Sequence, residues 1–180
     1  MLAVTDVHYP ETGGARAAAV LADDRRFESI VGERIAELET VADYRPGEFY
    51  RRELPALEAV LDGLAGLSLL LVDGYVDLEP GGGRPGLGAH CHTAFGVPVI
   101  GVAKTAFRSA THALEVQRGA GQRPLFVTSI GLDIEEAAAL VAAMAGPFRL
   151  PEAIKRVDAL ARGRAHAMAG PGAMAGPGAG

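Results

Sequence analysis

Cysteine is almost missing from this chain: Cys91 is the single one in 180 residues. No intramolecular disulfide is possible, and no cysteine-rich zinc site either. Long apolar runs are also missing. The longest, residues 64–73, is far too short to cross a bilayer. No basic segment followed by an apolar stretch opens the chain, so no signal peptide is expected and a cytoplasmic protein is the default. Positive charge is not in excess: 17 Lys and Arg face 22 Asp and Glu, for a formal net charge of −5. That balance argues against a protein held on nucleic acid by its whole surface. It leaves room for a nuclease, in which an acidic cluster sits beside one groove lined by Lys and Arg. What is abundant is aliphatic: 49% of residues are hydrophobic, against 6% aromatic. Such a composition excludes a disordered chain. The length fits one domain whose core needs no staples.

The chain end reads MAGPGA twice, at 168–173 and 174–179, before Gly180. Gly and Pro at this density oppose regular structure, and Ala with Met buries too little surface to offset ordering. A disordered tail without a catalytic role is expected over 163–180, after one domain over 1–162. Within that domain strand and helix signals alternate. Strands are expected at 1–7, 67–72, 97–103, 113–117 and 125–129. Helices are expected at 46–64, 86–95, 133–144 and 151–162, the first and last opening on proline. Segments 14–22 and 27–40 flank the polar turn Asp23-Asp24-Arg25-Arg26 and suit an antiparallel hairpin, although the second arm also reads as helical. The Gly81-Gly-Gly83 triplet lacks the strand–helix context of a nucleotide-binding loop and reads as a hairpin or lid. The sum is an α/β fold.

Three carboxylates stand where stability alone would not put them. Asp6 lies in the strand Ala3-Val4-Thr5-Asp6-Val7, and strand interiors disfavour Asp. The strand period puts it on the face of Leu2 and Val4; a strand-end Asp facing water is the plainer reading. Glu53 is four residues from both Phe49 and Leu57, so it points toward the apolar side of its helix. A buried carboxylate needs a cation or a hydrogen-bond donor, and a boundary Glu paired with an Arg would meet that need equally. Asp73 ends an apolar strand before Gly74, at the strand end where α/β sheets bind ligands; a turn cap is its alternative. Gathered at one sheet edge, three acids repel one another unless a divalent ion is present. Oxygen ligands select a hard ion, Mg²⁺ with Mn²⁺ as substitute, and such ions serve phosphoryl chemistry.

The segment Tyr44-Arg-Pro-Gly-Glu-Phe-Tyr-Arg-Arg-Glu53-Leu-Pro-Ala-Leu57 resembles the Tyr-x-Pro-Gly…Arg-Glu-x-Pro-Ala-Leu stretch of endonuclease V. Leu71-Val-Asp73-Gly74 is similar to that family's strand ending in Asp-Gly. Arg84-Pro-Gly-Leu-Gly-Ala-His90 and Val97-Pro-Val-Ile-Gly-Val-Ala-Lys104 resemble its Gly-Leu-x-x-His and Pro-x-Ile-Gly-Val-Ala-Lys blocks. Val4-Thr-Asp-Val7, Ser129-Ile-Gly131 and Phe148-Arg-Leu-Pro-Glu152 extend the likeness over residues 2–162. The resemblance implies a ribonuclease-H-like mixed sheet flanked by helices. It implies Mg²⁺-dependent hydrolysis of the second phosphodiester 3′ to a deaminated base, chiefly inosine, in DNA or RNA. By position, Asp6, Glu53 and Asp73 would hold the metal, and Lys104 would approach the phosphate as a point charge. Tyr44 would be the strand-separating wedge, with Pro46 and Gly47 holding its loop. Gly86 and Gly88 would allow close approach to an extruded base. Family likeness also suggests a monomer.

Three departures from the pattern bear on function. The family carries a metal-site His after the glycine matching Gly131, where this chain has Leu132 and then Asp133. Asp133 is either a shifted substitute or the cap of the next helix. The loop 75–84 replaces a His-Pro segment, with Glu79 near the family His. The first strand begins almost at residue 1, so no counterpart of the family's N-terminal helical extension is expected. A binding module of the same fold that cuts weakly is therefore the alternative function. His90 and His92 flank Cys91, but on the expected helix they diverge by about 200°, and Cys91 reads as a core residue. Arg51, Arg52, Arg84, Lys104, Arg108, Arg118 and Arg123 are candidates for a phosphate track, against solvated surface as the plainer reading.

Overall fold

The computed structural model describes residues 1–43 and 49–165. Tyr44, Pro46 and Gly47, and the tail from 166 onward, lie outside the described residues. The strands are β1 (Leu2–His8), β2 (Ala15–Ala22), β3 (Ile30–Leu38), β4 (Leu69–Asp73), β5 (Val99–Ala103), β6 (Leu114–Val116) and β7 (Leu125–Ile130). The helices are α1 (Tyr50–Leu61), α2 (Leu87–Phe95), α3 (Ile134–Ala143) and α4 (Glu152–Ala161). The strands form one sheet in the order β3-β2-β1-β4-β5-β7-β6. β1, β4 and β5 run parallel, and β2, β3, β6 and β7 join by antiparallel pairing. None of the helices among the described residues is long and apolar enough to cross a membrane.

Period-two alternation sorts the strand residues into two cores, one on each face of the sheet. Leu2, Val4, Leu69, Leu71, Ile100 and Val102 pack with Leu140 and Val141 of α3 and with Ile154, Val157 and Leu160 of α4. Ala3, Leu70, Val72 and Val99 pack on the other face with Ala56, Leu57 and Val60 of α1 and Cys91 of α2. The alanine-rich β2 is buried from both sides, and its small side chains let α1 and α4 close on it. On α4, Arg156 reaches across to β3 and grips the buried Glu33 with two hydrogen bonds, Nε to Oε1 at 2.6 Å and Nη2 to Oε2 at 3.0 Å.

The second hairpin arm is a strand, because β3 pairs antiparallel with β2 from Leu38 to Gly32 and, past an irregularity, at Ile30. The loop 75–84 is a closed hairpin: Leu78 N–H donates to Arg84 O at 2.8 Å, Asp77 bridges to Pro85, and a short 3-10 turn spans Pro80–Gly82. The folded chain also runs past residue 162. Gly163 and Arg164 donate to Leu160 O and Ala159 O, and Ala165 packs against the core.

Candidate active site

β1 and β4 run in parallel with Thr5 opposite Val72, which brings Asp6 and Asp73 together at the carboxyl ends of neighbouring strands. Both follow the parity of Val4 and Leu71, so both turn to the α4 face. Val102 of β5 is opposite Asp73, and Lys104 follows it by two residues on the same face. Its Nζ lies 2.6 Å from Asp73 Oδ2. Glu53 comes over the sheet edge from the other face. It is only 8% exposed, and it lines one small cleft with Thr5, Asp6, Val72 and Asp73. The acids at 6, 53 and 73 thus meet in space.

A fourth acid joins them. Asp158 of α4 lines the α4 side of the same edge with Asp6, Asp73 and Lys104. The sequence reading missed it. The signal was its place four residues after the core residue Ile154, beside Val157, on the apolar stripe of α4.

Electrostatics reflect the crowding. Burial first, then the charge of Asp73, raises Asp6 to about 6, with Lys104 opposing. Burial, then Asp6 and Asp73, pushes Glu53 up to about 8, with Arg52 opposing. For Lys104 burial works against the charge, but the hydrogen bond and field of Asp73 outweigh it and hold the ammonium above its ordinary range. Among the described residues no three Asp, Glu, His or Cys side chains already form a metal cage. Asp73 instead faces Lys104, and Asp158 faces Arg162 at 2.8 Å.

Next to the acids a wider cleft is lined by Phe49, Tyr50, Glu53, Asp73, Tyr75 and Phe107, among others. Phe49 and Phe107 are 43% and 39% exposed, unusual for Phe. Tyr75 is pinned, its hydroxyl donating to Thr105 O at 2.8 Å and accepting from Phe107 N–H at 2.9 Å. His90 stacks on Tyr50 with ring centroids 3.5 Å apart, while His92 Nδ1 bonds Val97 O at 2.7 Å. The two histidines serve different neighbours. Burial pushes the Cys91 thiol up to about 12, consistent with an inert core residue.

Several expected roles need correction. Asp133 does not join the site. β7 runs antiparallel to β5, with Ile130 opposite Val99, so Gly131, Leu132 and Asp133 lie at the opposite end of the sheet from Asp73. There Asp133 caps α3, accepting from the N–H groups of Glu135 and Glu136 at 2.9 and 3.2 Å. Gly86 and Gly88 make room for the chain itself. A Cβ on Gly86 would stand 2.6 Å from Tyr75 O, and one on Gly88 2.7 Å from Val76 Cγ2. Both glycines are buried, and of the two Gly86 lines the wider cleft. Arg118 is no part of a phosphate track: it is buried and donates to Ala142 O, Met144 O and Gly146 O at the end of α3.

A family model described as Endonuclease V matches residues 1–159. Endonuclease V of Streptomyces avermitilis is 31% identical over 179 residues, spanning 87% of this chain and 77% of its own length. That of Streptomyces coelicolor is 34% identical and spans 87% and 76%. The crystal structure of the S. avermitilis protein superposes with a TM-score of 0.74 at 30% identity, covering 91% of this chain and 80% of that one. The structure of Ciona intestinalis Endonuclease V in complex with a 24mer DNA containing an inosine followed by a ribo-adenosine gives 0.70 at 19% identity, covering 91% and 84%. The mixed sheet with helices on both faces is the ribonuclease-H-like arrangement.

Proposed function

Because the chain belongs to the Endonuclease V family of nucleases, we propose that it is a divalent-metal-dependent endonuclease that hydrolyses a phosphodiester 3′ to a deaminated base, chiefly inosine, in DNA or RNA. One observation carries this reading: Asp6, Glu53 and Asp73, distant in sequence, line a single cleft at the carboxyl edge of the sheet. Their oxygens are hard donors, and their mutual repulsion calls for a cation that Lys104 alone does not supply. Asp6, Glu53 and Asp73 would hold Mg²⁺, or Mn²⁺ in its place, with Asp158 beside them. The bound ion supplies an acidified water and charge stabilisation at the phosphate.

The chain's own groups do the rest. Raised to about 8 by burial and the neighbouring acids, Glu53 would hold a proton near neutral pH and would have to give it up to serve as a ligand of the ion. Lys104 sits half exposed beside Asp73, where its ammonium meets a phosphate oxygen as a point charge. The exposed Phe49 and Phe107, backed by the buried Tyr75, would receive an unstacked base next to the acids. The pinned hydroxyl of Tyr75 fixes that wall. Tyr44, with Pro46 and Gly47, precedes α1 in the chain and is the proposed wedge. The departure at Leu132 does not weigh against cutting, since that position is at the far end of the sheet.

The test is direct. The full chain is incubated with single-stranded DNA or RNA oligonucleotides carrying one inosine, with Mg²⁺ and with EDTA. Cleavage 3′ to inosine in Mg²⁺ alone, with the guanosine control intact, is the expected result. Retained binding without any cutting would overturn the proposal in favour of a binding module.

A further inference from the structure

Two basic side chains stand against the acids on the α4 side of the site. Lys104 faces Asp73, and Arg162 faces Asp158 through Nε at 2.8 Å from Oδ1. Arg162 is the residue that ends α4, one helical turn beyond Asp158. Its side chain is 39% exposed, so it stands at the mouth of the site and not inside it. A structural reading is available: a cation at a helix C-terminus, paired at i and i+4, adds a little helix stability. It leaves unexplained why the partner is the one α4 carboxylate that lines the acidic cleft. The hydrogen bond to Asp158, then its field and behind it that of Asp6 and Asp73, holds the guanidinium above its ordinary range.

We propose that Arg162 is a displaceable counter-cation: it holds Asp158 while no divalent ion is bound, yields it when the ion arrives, and then presents its planar fork to a phosphate of the nucleic acid. The inference rests on the metal-dependent reading of the site given above. Two consequences of opposite sign follow. Arg162 competes with the ion for Asp158, so it weakens metal binding to the free protein. Once released, it strengthens binding of the polyanion, because a guanidinium matches two phosphate oxygens at once.

The experiment uses the full chain and the variants Arg162→Gln and Arg162→Lys. Mn²⁺ affinity is measured by calorimetric titration without nucleic acid. KM is measured separately on a single-stranded DNA oligonucleotide with one deoxyinosine. Arg162→Gln is expected to bind Mn²⁺ roughly two- to five-fold more tightly, the size of a partly exposed ion pair, and to show a raised KM. Arg162→Lys keeps the charge and loses the fork, so its Mn²⁺ affinity should match the parent while its KM rises. Unchanged or weakened Mn²⁺ binding in Arg162→Gln overturns the proposal, as does a fall in melting temperature with neither constant moved. If the oligonucleotide is not cut at all, the nuclease reading fails, and the Mn²⁺ titration still decides whether Arg162 competes with the ion.

Discussion

The two ends of the parallel strands treat acidic residues in opposite ways. At the amino end Asp133 accepts from two backbone N–H groups and caps α3. At the carboxyl end Asp6, Glu53, Asp73 and Asp158 crowd one edge, where Lys104 pairs with Asp73 and Arg162 with Asp158. One end is built for stability and is electrostatically satisfied. The other crowds buried acids whose carboxyls are held above their ordinary range, at a cost in stability. The same residue type therefore marks a helix start at one edge and the proposed metal site at the other, and its neighbours decide which.

The contrast can be broken most sharply by Asp73→Ala, which should lower cleavage of an inosine oligonucleotide by about a thousandfold with a cooperative melt retained. Cutting near the parent level would remove Asp73 from the site. Glu53→Gln comes next. It should abolish cutting yet raise the melting temperature of the metal-free protein at alkaline pH, since a buried charge is replaced by a neutral isostere. A lower melting temperature there would show that the ionised Glu53 is stabilising.

The pH dependence sharpens the same point. Both Asp6 and Glu53 have folded-state pKa values above their unfolded ones, so the folded protein binds more protons between the two values. Stability of the metal-free protein should therefore fall as pH rises, from 3.8 to about 6 for Asp6 and from 4.5 to about 8 for Glu53. Melting curves with EDTA and with Mg²⁺ check this: the decline should flatten with Mg²⁺, and identical slopes would contradict a shared ion site. The smallest effect is expected at the other end. Asp133→Ala should cost about 1 kcal/mol of stability and leave the specific cleavage rate unchanged. A large loss of activity would return Asp133 to the chemistry.

Much of the site was legible in the sequence because its acids break local rules. Asp6 interrupts a strand, Glu53 sits on the apolar side of its helix, and Asp73 ends a buried run. Asp158 breaks no rule so visibly: α4 is rich in charge, and Asp between Val157 and Ala159 looks like an ordinary boundary residue. Asp133 kept two readings, cap and site residue, for a different reason. A motif gives order along the chain, but only the antiparallel pairing of β7 with β5 tells which edge Gly131 reaches, and pairing direction is a long-range property. The glycines at 86 and 88 were legible as positions of close approach. Their partner proved to be Tyr75 and Val76, segments the sequence does not bring together. The hairpin was legible down to its polar turn, where the Asp24 carboxylate accepts from the N–H groups of Arg26 and Ser29, each at 2.7 Å.

The grip of Arg156 on Glu33 has a mechanical consequence. It fixes the rotation of α4 about its own axis from a strand three places away from β4. Turning the helix to move Asp158 would tear a two-pronged contact off a carboxylate that is almost fully buried, so this wall acts as an anvil. Any widening to admit a bulky polymer must then come from the opposite jaw, the beginning of α1 with its exposed Phe49.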